Sequence, residues 1–443
     1  MQGHCQMFSR RKLLRQMIGT ACLAGRSRAD PPGDTHSPTG QISLTLEDDQ
    51  FLEELEKANF LFFWEQADPR TGLVRDRCNV QQPDKNTSPA SIASTGFGLT
   101  ALCIGHKRGY LPLSEARDRV LAGLQFLWKT MPTHRGFFFH WADIKTGERV
   151  WDSEVSSIDT AILLCGVLTC RQYFKNAEIS SLAYRIVERV DWKWVSEDTT
   201  LLPLGWMPEI GFLPYRWDYY SELMMLYLLG LGSESHPLPV ETWHAWKRMT
   251  FEYDGLRYIG SYAPLFVHQY SQAWFDFRGK RDRYANYFVN TRIATEVHRR
   301  FCLELARQFP DYNGDLWGIT ASDSQKGYVV WGGPPEMGPI DGTVVPSAAG
   351  GSLPFLPDPC LRVLKNIKNR YGSRVWSRYG FVNAFNPLKN WFDTDVIGID
   401  TGITMLMAEN LRTDLVWNTF MKNPEAQRGL KRAGFSDDSA PNK

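Results

Sequence analysis

The chain has 443 residues, 43% hydrophobic and 22% charged, and its 50 basic and 49 acidic side chains leave a formal charge of +1. Such a composition excludes wholesale disorder. It supplies no net basic field for nucleic-acid binding by counterion release, and no run of about 18 apolar residues suggests a membrane span.

At the N-terminus, Ser9-Arg10-Arg11-Lys12-Leu13-Leu14 precedes a modest apolar stretch from Met17 to Gly25 and a small-residue site, Ser27-Arg28-Ala29. The pattern is that of a twin-arginine export signal over residues 1–29, which implies a periplasmic or secreted protein. A disordered basic arm is the alternative. Residues 30–44 read as a flexible linker, 45–435 as one catalytic domain and 436–443 as a disordered tail. Cys5 and Cys22 fall in the leader, leaving Cys78, Cys103, Cys165, Cys170, Cys302 and Cys360. None of the cysteine or histidine spacings is that of a metal site or a C-x-x-C redox pair, so no metal and no cofactor are expected. One or two disulfides would be compatible with export.

Helical periodicity dominates the rest. Phe51, Leu52, Leu55, Ala58, Phe62 and Phe63 follow i, i+3/i+4 spacing. Ser114 is placed to cap a helix with Ala116, Val120, Leu124 and Leu127 on one face, and Asn176 or Ala177 opens another that runs to about Val190. Between these amphipathic helices lie segments that start polar and continue almost wholly apolar, beginning at Ser91, Ser153, Asp218 and Asp400. A helix apolar all round is buried on every side. Outer and inner helices in alternation, ten to twelve segments in all, predict an all-α (α/α)6 barrel. An open helical solenoid fits less well because the spacings are irregular and long loops interrupt.

In such a barrel the inner helices' polar first turns meet at one mouth, bringing together Glu154, Asp159, Glu222 and Asp400. Helix N-termini tolerate carboxylates in any case, so each acid singly is also explained as a cap or dipole partner. Glu154 and Asp159, five apart on one helix, would diverge by roughly 140°, which assigns Asp159 to supporting loop backbone or an arginine. The loop-rich stretches Asp254 to Tyr287 and Asp311 to Pro346 are too aromatic for disorder and read as ordered cleft walls. The 25 Phe, 17 Tyr and 16 Trp exceed the needs of a core and suggest a stacking surface. Within the loops, Trp274, Trp317 and Trp331 either stack on sugar rings or anchor loops. His268 is a hydroxyl partner or a satisfied structural residue. Arg278, Arg281 and Arg283 bind hydroxyls or pair with Asp276, Asp282 and Asp323, and Asp341 binds sugar or nucleates its turn. An aromatic cleft with Arg and Asp suits carbohydrate, whose glycosidic bonds need only two carboxyls, one protonated and one acting on water or as nucleophile.

Eight motifs in order sharpen this reading: Thr71-Gly-Leu-Val-Arg-Asp-Arg77, Ser153-Glu-Val-Ser-Ser-Ile-Asp159, Tyr220-Ser-Glu222, Trp274-Phe-Asp-Phe-Arg-Gly279, Thr320-Ala-Ser-Asp323, Trp331-Gly-Gly-Pro-Pro335, Ile340-Asp-Gly-Thr-Val-Val-Pro346 and Asp395-Val-Ile-Gly-Ile-Asp400. Together, over about Leu46 to Phe435, they resemble the glucoamylase-like domain of bacterial exported proteins. That group includes glycoside hydrolase family 144, the β-1,2-glucanases. The resemblance implies an (α/α)6 fold and inverting, cofactor-free hydrolysis of β-1,2-linked glucan; a monomer is expected. It also implies Glu222 as general acid, with Glu154 the second acid of interest. Asp395 and Asp400 are candidates for the base, although Asp400 could simply cap its helix. Many family members have histidine where this chain has Gln272, so a sugar contact there would differ. A non-catalytic glucan-binding protein, or a transglycosylase or phosphorylase on the same fold, is the alternative.

Overall fold

The computed structural model describes residues 44–261, 264–334 and 338–438; the stretch read as an export signal and most of that read as a linker lie outside them. Fourteen α-helices occur among the described residues. In chain order, outer α1 (Leu46–Glu65) leads to inner α2 (Ile92–Lys107), outer α3 (Leu113–Lys129), inner α4 (Ser157–Phe174) and outer α5 (Ala177–Glu188). After α6 (Trp192–Ser196) come inner α7 (Met224–Gly232) and the short α8 (Glu241–Ala245). Outer α9 (Tyr287–Glu304), inner α10 (Pro346–Gly350), outer α11 (Pro357–Tyr371), inner α12 (Gly398–Thr413), α13 (Leu415–Phe420) and α14 (Pro424–Arg432) follow. Among the described residues no helix is long and apolar enough to cross a membrane.

The two helix types behave as their patterns dictate. On α5 only Ile179, Leu182, Ala183, Ile186 and Val187 are buried, one stripe of an amphipathic helix. On α2 every residue from Ile92 to Gly105 is buried, and on α7 all nine are. The inner segments touch in a closed circuit. α2 packs on α4 and α4 on α7. The Ser271 hydroxyl, donating to the Glu222 carbonyl and accepting from the Met225 N–H, ties the start of α7 to two 3₁₀ turns, Leu265–His268 and Tyr270–Ala273. Gln269 donates to the Ala348 carbonyl and Ser352 Oγ, α10 packs on α12, and α12 returns to α2. Two of the six inner positions are thus short or 3₁₀ where regular helices were expected.

Neighbouring inner helices run parallel. Gly96 of α2 faces Ile162 of α4, and nearer their C-terminal ends Cys103 Sγ lies 3.8 Å from Cys170 Sγ. Along α2 and α12 the contacts are Ser94 with Gly398, Phe97 with Gly402, and Arg108 with Glu409. At Gly96 and Gly166 a methyl group would strike the facing backbone, so glycine sets the closeness of α2 and α4.

Several expected boundaries shift. Pro112, not Ser114, stands at the N-cap position of α3, which has no side-chain cap. α4 begins at Ser157, with Val155–Ser156 in a strand paired to Gly205–Met207, and α7 begins only at Met224. The stretch from Asp254, read as loop, opens inside a hairpin: Met249–Tyr253 pairs with Leu256–Gly260 across Asp254-Gly255, both with positive φ. Ser436–Asp437 pairs with Lys280–Arg281, so the segment read as a disordered tail starts with a strand. The six described cysteines are all buried free thiols rather than disulfides.

Candidate active site

Parallel inner helices put their N-terminal ends at one pole, and hydrogen bonds join those ends. The Ile92 N–H at the start of α2 donates to the His140 carbonyl at 3.2 Å. The Gly398 N–H at the start of α12 donates to Asp76 O at 2.8 Å, beside the antiparallel pairing of Arg77–Asn79 with Asp395–Ile397. The Trp217 indole N–H donates to Ser157 Oγ at 2.9 Å, tying the chain that leads to α7 to the first residue of α4.

Glu154, Asp159, Glu222 and Asp400 are all buried at these ends. Ser156 caps α4, accepting from the Asp159 N–H at 3.2 Å and donating to Asp159 Oδ2 at 2.6 Å. Glu154 sits before the strand, not on the helix, so the predicted angular divergence from Asp159 does not apply. Both carboxylates meet one imidazole: His140 Nδ1 is 3.3 Å from Glu154 Oε1, and Nε2 is 3.5 Å from Asp159 Oδ2. Asp159 thus meets a histidine as well as the serine that caps its helix. A side chain at Gly205 would strike the Val155 carbonyl and then Glu154 Cγ, so glycine there lets the strand pass close to the Glu154 stem. Glu222 lies in the turn before α7, its carbonyl held by Ser271. Asp400, in the first turn of α12, does not cap its helix. Its Oδ1 accepts from Ser347 Oγ at 3.1 Å and its Oδ2 from Asn383 Nδ2 at 2.6 Å.

Asn383 links Asp400 to a second group, because its Oδ1 accepts from the Asp323 N–H at 2.7 Å. Arg77 contacts Asp323 at 2.6 Å, Asp76 at 3.1 Å and Asp395 at 3.5 Å. Burial opposes the Arg77 charge, but the three carboxylates outweigh it and raise its pKa. Burial pushes the Asp323 carboxyl up despite Arg77. Asp393 goes further, to about 7, through burial and then the nearby Asp323. Its Oδ1 accepts the Thr394 and Asp395 N–H groups, while Oδ2 is buried without a hydrogen-bond partner.

Most loop residues expected to bind substrate do not line this pole. Trp274 is wholly buried, donates to Thr100 Oγ at 3.1 Å and packs on Phe97. Trp317 is also wholly buried, and Trp331 is 5% exposed with its N–H on Ser322 Oγ at 2.8 Å. Indoles without open faces cannot stack on an incoming sugar; all three anchor loops. Gln272 is buried, its amide donating to Thr291 Oγ1 and the His268 and Tyr287 carbonyls. Arg278 pairs with Asp276 and Asp414, each at 2.9 Å. Asp414 terminates α12, whose 16 residues put it roughly 24 Å from the end carrying Asp400. Asp341 accepts from the Thr343 N–H and hydroxyl and pairs with Lys389, a turn-building role. His268 faces Tyr220 Oη at 3.2 Å, and burial, aided by His298, pulls its pKa down to about 3, which keeps it neutral.

Sequence reasoning passed over His140, Arg77 as a charge centre, and Asp393. His140 closes the run Phe137-Phe-Phe-His-Trp141, where one polar ring after three Phe is the available signal. Asp393 stands in Trp391-Phe-Asp-Thr-Asp395, whose two closely spaced acids precede an inner helix.

Residues 214–424 match the family model Glycoamylase, described as "Putative glucoamylase". A solved structure from Bacteroides fragilis with that same description is 31% identical, with a TM-score of 0.81 over 90% of this chain and 100% of that one. An endo-β-1,2-glucanase from Chitinophaga pinensis, solved with sophorotriose and glucose, is 28% identical, with a TM-score of 0.82 over 88% and 99%. An exo β-1,2-glucooligosaccharide sophorohydrolase acting at the non-reducing end, from Parabacteroides distasonis, is 30% identical over 426 residues. That match takes in 87% of this chain and 58% of the relative's length. Fold, family model and near-complete structural correspondence agree with the eight motifs: the chain belongs to the glucoamylase-like family.

Proposed function

We propose that this chain is a glycoside hydrolase that cleaves β-1,2-linked glucan at the pole where α4, α7 and α12 begin. The observation that carries the reading is the gathering there of four buried carboxyl residues, Glu154, Asp159, Glu222 and Asp400, in a fold shared with a β-1,2-glucanase. Glu222 protonates the departing glycosidic oxygen. Asp400, whose two side-chain donors suit an ionised carboxylate, takes a proton from the water that attacks the anomeric carbon. Asp395 is the poorer base, because it shares Arg77 with Asp76 and Asp323. Glu154 and Asp159, set by His140, orient hydroxyls. Water enters opposite the leaving group, so the configuration inverts. The enzyme acts as a monomer outside the cytoplasm, after export by the twin-arginine signal.

Products from linear β-1,2-glucan, run beside β-1,3- and β-1,4-glucans, test the substrate. Anomer-resolved NMR of the first products tests the stereochemistry, with the α-anomer expected. Glu222→Gln should keep the thermal transition and lower the rate by about 10²–10⁴. A full rate in that variant removes Glu222 from the mechanism, and the β-anomer appearing first would mean retention. Glucan binding without any product would leave a binding protein.

A further inference from the structure

A loop from Asp143 to Ser153 leads into Glu154 and ends in the turn Val150-Trp151-Asp152-Ser153. The Ser153 N–H donates to the Val150 carbonyl at 3.2 Å, and φ is +57° at Trp151 and +48° at Asp152. Two successive positive φ values under that hydrogen bond define a type I′ turn, a geometry usually given to Asn-Gly or Asp-Gly. A β-carbon in the left-handed region is unfavourable, yet a tryptophan occupies the first central position. It is 53% exposed. The turn is held firmly: Arg149 Nε donates to the Ser153 carbonyl at 2.6 Å, and its guanidinium grips Glu209 at 2.5 and 3.0 Å. The Trp151 ring meets Trp141 edge-on at 5.5 Å, and Trp141 lies flat on His140 at 3.6 Å. His140 is the imidazole between Glu154 and Asp159. A row of rings therefore runs from the carboxylates outward to a half-exposed indole.

We propose that Trp151 is the platform of an outlying sugar subsite, stacking on the C–H face of a glucosyl unit in a chain whose scissile bond lies at the carboxylates. The proposal rests on the β-1,2-glucan reading above. An exposed ring followed directly by the exposed Asp152 suits a sugar, which offers one apolar face and a rim of hydroxyls, better than an apolar protein surface. A platform set back from the bond distinguishes substrates by chain length.

The test compares Trp151→Ala and Trp151→Phe with the parent protein on β-1,2-glucooligosaccharides of graded length. For Trp151→Ala, kcat/KM should fall about tenfold on long chains and several-fold less on the shortest oligosaccharide cleaved, with most of the loss in KM; Trp151→Phe should recover most of it. In the Glu222→Gln background, Trp151→Ala should weaken binding of long β-1,2-glucan by a similar factor. The same length profile in Trp151→Ala and parent, or an equal loss at every length, overturns the platform. Should the parent cleave no β-1,2-glucan, the functional reading fails separately. The platform is then decided by gel retardation in a panel of soluble glucans, and it falls if the parent is not retarded or Trp151→Ala is retarded equally.

Discussion

Asp393 carries its carboxyl into the neighbourhood of Asp323 and Asp395, and leaves one buried oxygen without a donor. Its pKa of about 7 lies above that of an unfolded aspartate, so the folded chain binds more protons than the unfolded one between roughly pH 4 and 7. This stabilisation is fully present below the unfolded pKa and is lost as pH rises through 7. Asp393→Asn keeps a neutral side chain at every pH. It should match the parent near pH 4 and exceed it at pH 8 by about 1–3 kcal/mol, measured by chemical denaturation across pH. Parallel pH profiles for variant and parent would mean that the carboxyl is already ionised or relieved by solvent. Single residues also mark the limit of sequence reading. That Glu154, Asp159 and Glu222 stand at the starts of buried helices was legible, because Ser-Glu-Val-Ser-Ser-Ile-Asp159 and Tyr-Ser-Glu222 precede apolar runs. Exposure was not. Trp274, Trp317 and Trp331 lie in loops rich in Gly, Pro and polar residues, so nothing local shows that their rings turn inward onto Phe97, His298 and Ser322. Trp151, an exposed indole, lies in none of the long aromatic loops.

Inner helices α2, α4 and α12 end in basic residues, the sign their dipoles favour, and α12 shows both ends. Asp400 stands in its first turn and Arg412 in its last. Arg412 reaches Asp49 at 2.7 Å, Glu53 at 2.9 Å and Glu56 at 2.7 Å, while Arg108, capping α2, holds Glu409 at 2.6 Å and Glu56 at 3.4 Å. Glu56 and Glu409 are wholly buried, and burial together with Glu409 pushes the Glu56 carboxyl up. Removing one cation leaves two carboxyls to share the other. Arg412→Ala should cost about 3–5 kcal/mol in denaturant titrations, yet keep kcat/KM at low temperature because the site is at the far end of the helix. A loss under about 1 kcal/mol would show that the carboxyls protonate instead. The amphipathic helices α1, α3 and α5 were legible from period 3.6 and the inner helices from their apolar runs; Asn176, one of two starts read for α5, and Ser91, read as the first residue of its segment, prove to be the caps. The starts of α4 and α7 were not legible, because Ser153 to Ser156 and Asp218 to Leu223 are polar enough for a first turn. The pairing of Val155–Ser156 with Gly205–Met207 takes the former segment out of its helix.

At the scale of the molecule, one pole of the ring gathers paired arginines and carboxylates and the other the four carboxyl residues proposed for catalysis. Alternation of amphipathic and apolar helices was enough to foresee an all-helical ring. It could not foresee that the fourth and fifth inner positions break into 3₁₀ turns and the five-residue α10, because their hold on neighbours runs through side chains such as Ser271 and Gln269. The carboxyl pole joins segments distant in sequence: Glu154 and Asp159 before and in α4, Glu222 before α7, and Asp400 in α12. A ligand touching all three bridges the ring and so opposes its opening as a whole. In the slow Glu222→Gln variant, a β-1,2-linked oligosaccharide at 100 times its Kd should add about 2.7 kcal/mol of stability. For a chain this long that is a rise of a few degrees in Tm, visible by calorimetry and scaling with the logarithm of ligand concentration. β-1,4-linked oligosaccharides of equal length should give less. Equal shifts with both linkages would mean that the pole recognises glucose without reading the bond, and no shift with either would place the ligand elsewhere on the molecule.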